Sequence, residues 1–236
     1  GDCLNVYVTE KKASEQIVPV PADLSVVYED EHVLVIDKPA GMPVHPSQGH
    51  YENTLANAIA WYYRNEETPF VFRAVNRLDR DTPGLFFGKK DHAIHREYAA
   101  VVSGKTDSSG TIDLPIARKD GSTIERVCDP ERGEAAVTHY QTIAYNKDAD
   151  LSFIRLLLET GRTHQIRVHM KAIGHPLPGD FLYCPDYRLI DRQPLHSTYL
   201  SFSHPATGEK LEFSAPLPQD MQNLFPDIKN PEGPVF

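Results

Sequence analysis

Cysteine is scarce and poorly placed for cross-linking. Cys3, Cys128 and Cys184 are odd in number and far apart, so neither a disulfide framework nor a paired CxxC site can be drawn from them. Positive charge is short as well. Against 33 Asp and Glu stand 24 Lys and Arg, a formal net charge of −9, which excludes nucleic-acid binding through bulk charge. No apolar run approaches the roughly 18 residues of a membrane helix, and Gly1-Asp2-Cys3-Leu4-Asn5 lacks the basic-then-apolar order of a signal peptide. A cytoplasmic chain without membrane association is the expectation. Eleven histidines are present, yet no HExxH or comparable spacing groups them, so no metal site is expected. Neither a repeat of fixed period nor a GxGxxG is found.

What remains is an ordinary globular composition, 236 residues with 40% hydrophobic and 24% charged, enough for one domain with a substantial core. Residues 1–23 end in Val18-Pro19-Val20-Pro21 and read as an extended lead-in; opening on Gly1 without Met, the chain is read as truncated. Two β-rich runs, Leu24–Tyr28 and Val33–Ile36, flank an acidic turn and predict a hairpin. Three prolines between Lys38 and Pro46 exclude regular structure there. Asn53 is placed to cap a helix carrying Leu55, Ala58, Ile59 and Tyr62 at helical spacing and ending near Arg64. Glu97–Val102, Thr111–Ile116, Ala136–Tyr145, Leu151–Leu158, His196–Phe202 and Lys210–Phe213 read as strands. A second helix runs from Thr163 to about Ile173, with Ile166, Met170 and Ile173 on a core face and His164, Arg167 and Lys171 on the opposite side. The fold class is α+β, a mixed, mainly antiparallel sheet with few flanking helices.

Two strings could carry chemistry. In Arg73-Ala-Val-Asn76-Arg77-Leu78-Asp79-Arg80-Asp81-Thr82-Pro83-Gly84, Asp79 has arginines two before and one after, and opposite charges at close range hold a carboxylate ionised. Such an aspartate suits a nucleophile or an electrostatic anchor; a salt-bridged surface turn is the plainer alternative. The second string is Glu159-Thr160-Gly161-Arg162-Thr163-His164-Gln165-Ile166-Arg167-Val168-His169. Both lie in stretches whose local charge is +3 (Arg73 to Arg96, and Arg155 to Lys171), where a polyanion finds a basic surface despite the overall balance.

These strings resemble the RluA type of RNA pseudouridine synthase. Val35-Ile36-Asp37-Lys38-Pro39-Ala40-Gly41, Arg77-Leu78-Asp79 with Thr82 and Gly84, Arg96-Glu97-Tyr98 and Gly161 to His169 stand in the family's order. Pro176-Leu177, Gly179-Asp180, Tyr183, Leu195-His196, His204-Pro205 and Ala215-Pro216-Leu217 continue the likeness, which covers residues 24–220. The resemblance implies a pseudouridine synthase fold with a central active-site cleft, a catalytic domain at 24–220 and a C-terminal tail at 221–236. It also implies that residues 1–23 are the remnant of a small N-terminal RNA-binding domain. The implied activity is conversion of specific uridines to pseudouridine in structured ribosomal or transfer RNA, without cofactor or metal. Asp79 is the implied nucleophile, Tyr98 the aromatic that stacks on the uracil, and Arg167 the cation paired with Asp79. Arg77, Arg80, Arg162, Thr163, His164 and Gln165 are the implied substrate contacts. The expected partner is RNA and the default state a monomer.

Three departures from the family pattern stand out. Asn76 replaces the usual His, Pro83 replaces Ser, and Lys89-Lys90-Asp91-His92-Ala93 leads almost directly to Arg96 where about one helix is usual. They motivate the alternative of a catalytically weak RNA-binding or chaperone-like relative.

Overall fold

The computed structural model describes residues 17–47, 49–65, 72, 74, 78–88, 94–228 and 233–236, with backbone alone at 86–88. Its chain order is β1 (Ser25–Glu29), β2 (Leu34–Lys38), α1 (Leu55–Tyr62), β3 (Gly84–Gly88), β4 (His95–Ser103), β5 (Ser109–Asp113), β6 (Ile116–Arg118), β7 (Arg126–Cys128), β8 (Val137–Asn146), β9 (Leu151–Leu158), α2 (Gln165–Ala172), β10 (Leu195–Ser203), β11 (Lys210–Ser214) and α3 (Gln219–Leu224). Among the described residues nine strands form one sheet in the order β1-β2-β3-β10-β4-β9-β8-β5, with β11 also pairing β10, and β6 with β7 makes a separate hairpin. Within the large sheet only the β3–β10 pair is parallel, so the expected mixed, mainly antiparallel α+β class holds.

The centre of this sheet is buried on both faces, because successive strand residues point to opposite sides and each side finds its own cover. On one face Tyr98, Ala100, Val102, Ile154 and Leu156 pack with Leu55 and Ile59 of α1 and Ile166 and Met170 of α2. On the other, Ala99, Val101 and Phe153 pack with Met221 of α3 and with Phe225. Residues 221–225 are thus part of the packing, although the sequence reads 221–236 as a tail. Near the chain's end, Val235 and Phe236 donate their N–H groups to the buried Glu97 carboxylate.

Several local expectations are corrected. The cap of α1 is Thr54, not Asn53: Thr54 and Asn57 bond reciprocally in a capping box, while Asn53 bonds His50. The predicted strand Thr111–Ile116 breaks after Asp113, before Pro115, into β5 and β6. Strand β3 and helix α3 were not expected. The lead-in also packs, since Asn57 Nδ2 donates to the Val18 carbonyl at 2.7 Å.

Ser197 of β10 is the junction between the Asp79 string and the strand of Tyr98. It pairs with Gly84 at the start of β3 and, on its other edge, with Tyr98 of β4. The loop carrying Asp79 therefore enters the sheet one strand away from the strand carrying Tyr98, with β10 between them. Only glycine fits at 84, where φ is +112° and a Cβ would stand 2.3 Å from the Ser197 carbonyl oxygen.

Candidate active site

Asp79 lies in the turn just before β3, where the Thr82 N–H bonds the Asp79 carbonyl at 3.1 Å. The same loop is held from below by Lys38, whose buried ammonium donates to the carbonyls of Pro39, Met42 and Arg80 at 2.9 to 3.0 Å. Burial pushes that ammonium down to about 8, against the pull of Asp81 and Asp79. The Lys-Pro-Ala-Gly stretch is thus a fixed support for the Asp79 loop.

The cation on Asp79 is Arg167, not a sequence neighbour. Arg167 Nη1 donates to Asp79 Oδ2 at 2.7 Å, while Nε and Nη2 grip Asp180 at 2.6 and 2.7 Å. Its side chain is 2% exposed and that of Asp180 fully buried, whereas Asp79 is 27% exposed at the mouth. Burial pushes the guanidinium down, but the Asp180 bonds and the charge of Asp79 more than offset it and leave the group above its usual range. The expectation that Arg167 faces outward on α2 is corrected: the first six residues of the helix, Gln165 to Met170, are buried. For Arg80, the expectation that flanking arginines engage Asp79 is corrected too. Arg80 forms a two-pronged pair with Asp81 at 2.9 Å, and Arg77 lies outside the described residues, as does Asn76.

Tyr98 closes the pocket from the sheet side. It lines the same cavity as Asp79, Thr82, Arg162, His164 and Arg167, with Leu78, Leu158, Ile166 and Leu195 as apolar walls. Burial raises its phenol above the ordinary value, the charge of Arg96 working against that and Asp79 with it, so it is an un-ionised O–H at neutral pH.

Of the remaining expected contacts, His164 is in the left-handed region with φ 57° and turns its Nδ1 to the Tyr183 hydroxyl at 2.9 Å. Burial lowers its pKa, with Asp79 opposing, so the ring is neutral at pH 7. Gln165 also lines the pocket, and its amide is engaged with the surrounding scaffold. Its Oε1 accepts from Thr160 Oγ1 and the Arg162 N–H, and its Nε2 donates to the Val137 carbonyl and Thr138 Oγ1, which uses the whole amide. Arg162 bonds the Ala135 carbonyl and Glu134 and forms part of the cavity wall, while Thr163 faces a neighbouring cleft. Among the described residues no group of three or more His, Cys, Asp or Glu could hold a metal ion, and no helix is long and apolar enough to cross a membrane.

Sequence reasoning assigned no part to Asp180, Phe181 or Tyr183. Asp180 was visible only as one half of the Gly179-Asp180 resemblance, yet it is the counter-ion that fixes Arg167. Its Oδ1 also accepts the N–H groups of Leu182 and Tyr183, bending the chain so that both aromatic rings meet the guanidinium, at 5.6 Å for Phe181 and 5.0 Å for Tyr183. Gly179 permits the bend, with φ +72° and carbonyl oxygens of Ile190 and Arg192 within 2.6 Å of where a Cβ would stand.

Comparisons with known proteins bear on the family and the fold. The family model described as RNA pseudouridylate synthase matches residues 32–172. An uncharacterized RNA pseudouridine synthase of Bacillus subtilis, YjbO, is 44% identical over 95% of this chain and 83% of its own length. The ribosomal large subunit pseudouridine synthase D of Zymomonas mobilis is 40% identical over 95% of this chain and 78% of its own. The solved structure of human RNA pseudouridylate synthase domain containing 1 superposes with a TM-score of 0.65 at 23% identity, over 89% of this chain and 97% of that one, a likeness of fold.

Proposed function

The chain belongs to the RNA pseudouridylate synthase family, whose members isomerise uridine to pseudouridine in RNA, and on that premise we propose that it acts on ribosomal RNA through Asp79 upon an everted uridine. The observation that carries the mechanistic part is the Asp180–Arg167–Asp79 array: a buried arginine, fixed from behind, donates from Nη1 to Asp79 at the mouth of a pocket floored by Tyr98.

The reaction breaks the uridine bond between N1 and the ribose C1′, turns the uracil, joins C5 to C1′ and releases the C5 proton while N1 gains one. No redox change is required. Asp79 supplies the carboxylate for attack on the sugar, attack on the base or removal of a sugar proton. Arg167 gives that carboxylate an opposite charge in a largely dry setting, where an unpaired one is costly. Tyr98 offers a ring face for the uracil and an un-ionised hydroxyl. A uridine stacked in an RNA helix cannot reach this floor, so the nucleotide is turned out and held by stacking and hydrogen bonds. Ribosomal RNA is favoured as substrate by the names of several relatives, among them the large subunit synthases D of Zymomonas mobilis and Pseudomonas aeruginosa.

The test is tritium release from large-subunit ribosomal RNA and from transfer RNA, each labelled at uracil C5, by the wild type and by Asp79→Ala. Release by the wild type alone, from ribosomal RNA in preference, is expected. Undiminished release by Asp79→Ala refutes the role of the aspartate, and preference for transfer RNA refutes the substrate.

A further inference from the structure

Beside the pocket lies a second cleft, made where the β6–β7 hairpin meets the loop before α2. Arg118, Arg126, Arg132 and Arg162 line it with Thr163 and a single carboxylate, Glu134. In a chain of net charge −9 this concentration of arginine is local and needs an explanation. The sequence does not announce it, because the four arginines come from three separate segments and none of the first three falls in the two basic stretches read from the linear order.

We propose that this cleft binds a phosphodiester of the RNA strand next to the everted uridine, a reading that rests on the proposed substrate and extends it to a second point of attachment. Three observations support it. The first is continuity: Arg162 lines both the uridine pocket and the arginine cleft, so a strand leaving one enters the other.

The second is uncommitted charge. Arg132 is engaged by Asp120 and Asp129, and Arg162 by Glu134. The Arg126 guanidinium bonds only the carbonyls of Ile124 and Glu125, which leaves its charge uncompensated, and Arg118 is not among the ion-paired residues described. At about 270 Å³, the cleft has the volume of roughly nine waters, so an anion with part of its hydration shell enters without rearrangement.

The third is rigidity. The Arg126 N–H donates to the Tyr183 hydroxyl at 2.9 Å, which in turn bonds His164 Nδ1 at 2.9 Å on the pocket wall. Beneath, Ile116, Ala136, Val168 and Tyr183 form a small apolar core with Cys128 and Leu182 packed against it. Val168 belongs to the same helix as Arg167, so the hairpin arginines are held at a set distance from the catalytic carboxylate. A phosphate held there fixes the register of the strand, as backbone contacts do, without reading its sequence.

The test is the double variant Arg118→Ala/Arg126→Ala with a C5-tritiated large-subunit ribosomal RNA transcript, measured by filter binding and by tritium release between 50 and 200 mM KCl. Losing two phosphate contacts lowers the slope of log K against log salt by about 1.4 to 1.8. A rise of about tenfold in the half-saturating RNA concentration, with the saturated rate kept, is expected. Arg118→Ala alone gives half that slope change and serves if the double variant does not fold. Lys147→Ala, in the turn between β8 and β9, removes a charge about 30 Å along the strand from the site and leaves the slope unchanged. An unchanged slope in the double variant, an equal loss in Lys147→Ala, or a fall in the saturated rate alone overturns the proposal. Filter retention without tritium release by the wild type fails the isomerase reading, and the cleft is then judged on the filter slopes alone.

Discussion

Replacing Asp180 with Asn tests how the site is held together. The side chain keeps its shape, and its Oδ1 still accepts from Leu182 and Tyr183. What disappears is the charge that faces two guanidinium N–H groups at 2.6 and 2.7 Å. Arg167 is 2% exposed, so water cannot take over, and breaking a buried pair from one side costs about 3–5 kcal/mol. For a chain of this length each kcal/mol moves the unfolding midpoint by about 2–4 °C, so a drop of about 6 °C or more is expected. Asp79→Asn removes the other carboxylate from the same arginine. That carboxylate is 27% exposed and makes a single bond to it, so the cost is about 1 kcal/mol, or about 2–4 °C. The two variants therefore separate stability from turnover: Asp180→Asn melts early, while Asp79→Asn melts near the wild type and releases no tritium. Thermal unfolding by circular dichroism at pH 7, beside the release assay, reads both. Equal midpoints for the two variants refute the assignment of Asp180 as anchor and Asp79 as the working group.

Two further outcomes follow from groups that support the Asp79 loop. Burial takes His196 down to about 4, with Nδ1 donating to the Pro83 carbonyl at 3.2 Å. A group depressed from about 6.5 contributes stability in full above that pH and loses it as pH falls toward 4; between pH 7 and pH 5 the loss is about 2 kcal/mol. Urea unfolding at both pH values measures this, and an undiminished pH dependence in His196→Gln refutes it. Gly84→Ala forces φ +112° on an L residue and a Cβ 2.3 Å from a β10 carbonyl, costing about 3 kcal/mol, whereas Gly41→Ala, at φ +81° with open space around it, costs about 1 kcal/mol. Equal losses of thermal stability in the two glycine variants contradict the close approach of the Asp79 loop to the sheet.

The parts of the fold legible in the sequence are those whose periodicity is imposed over many residues. Leu151–Leu158 was placed to the residue because every position of β9 is at least half-buried between two neighbouring strands, which selects an apolar run interrupted by Ser152 and Arg155 alone. Strands β6 and β7, three residues each, are too short to show alternation, and β3 is a short Gly-bounded run that received no assignment. Helix α3 escaped because six residues with one buried side chain, Met221, leave almost no helical pattern.

The site divides along a different line. Asp79 and Arg167 sit in strings whose residue types are unusual together, Tyr98 was reached through the family resemblance alone, and all three line one pocket. What the linear order could not give is pairing. It set Arg80 beside Asp79, but a side chain attached one residue away is free to turn to its other neighbour, and Arg80 turns to Asp81. The arginine that does meet Asp79 is 88 residues distant, brought there because α2 lays its first two turns under the sheet. Gln165 shows the same limit: the motif places it at the pocket wall, but only the fold shows that its amide pins the 160–162 loop to β8. Burying an arginine requires more acceptors than the substrate-facing carboxylate supplies, and the fold meets that requirement at Arg167 with Asp180, which the linear order does not single out.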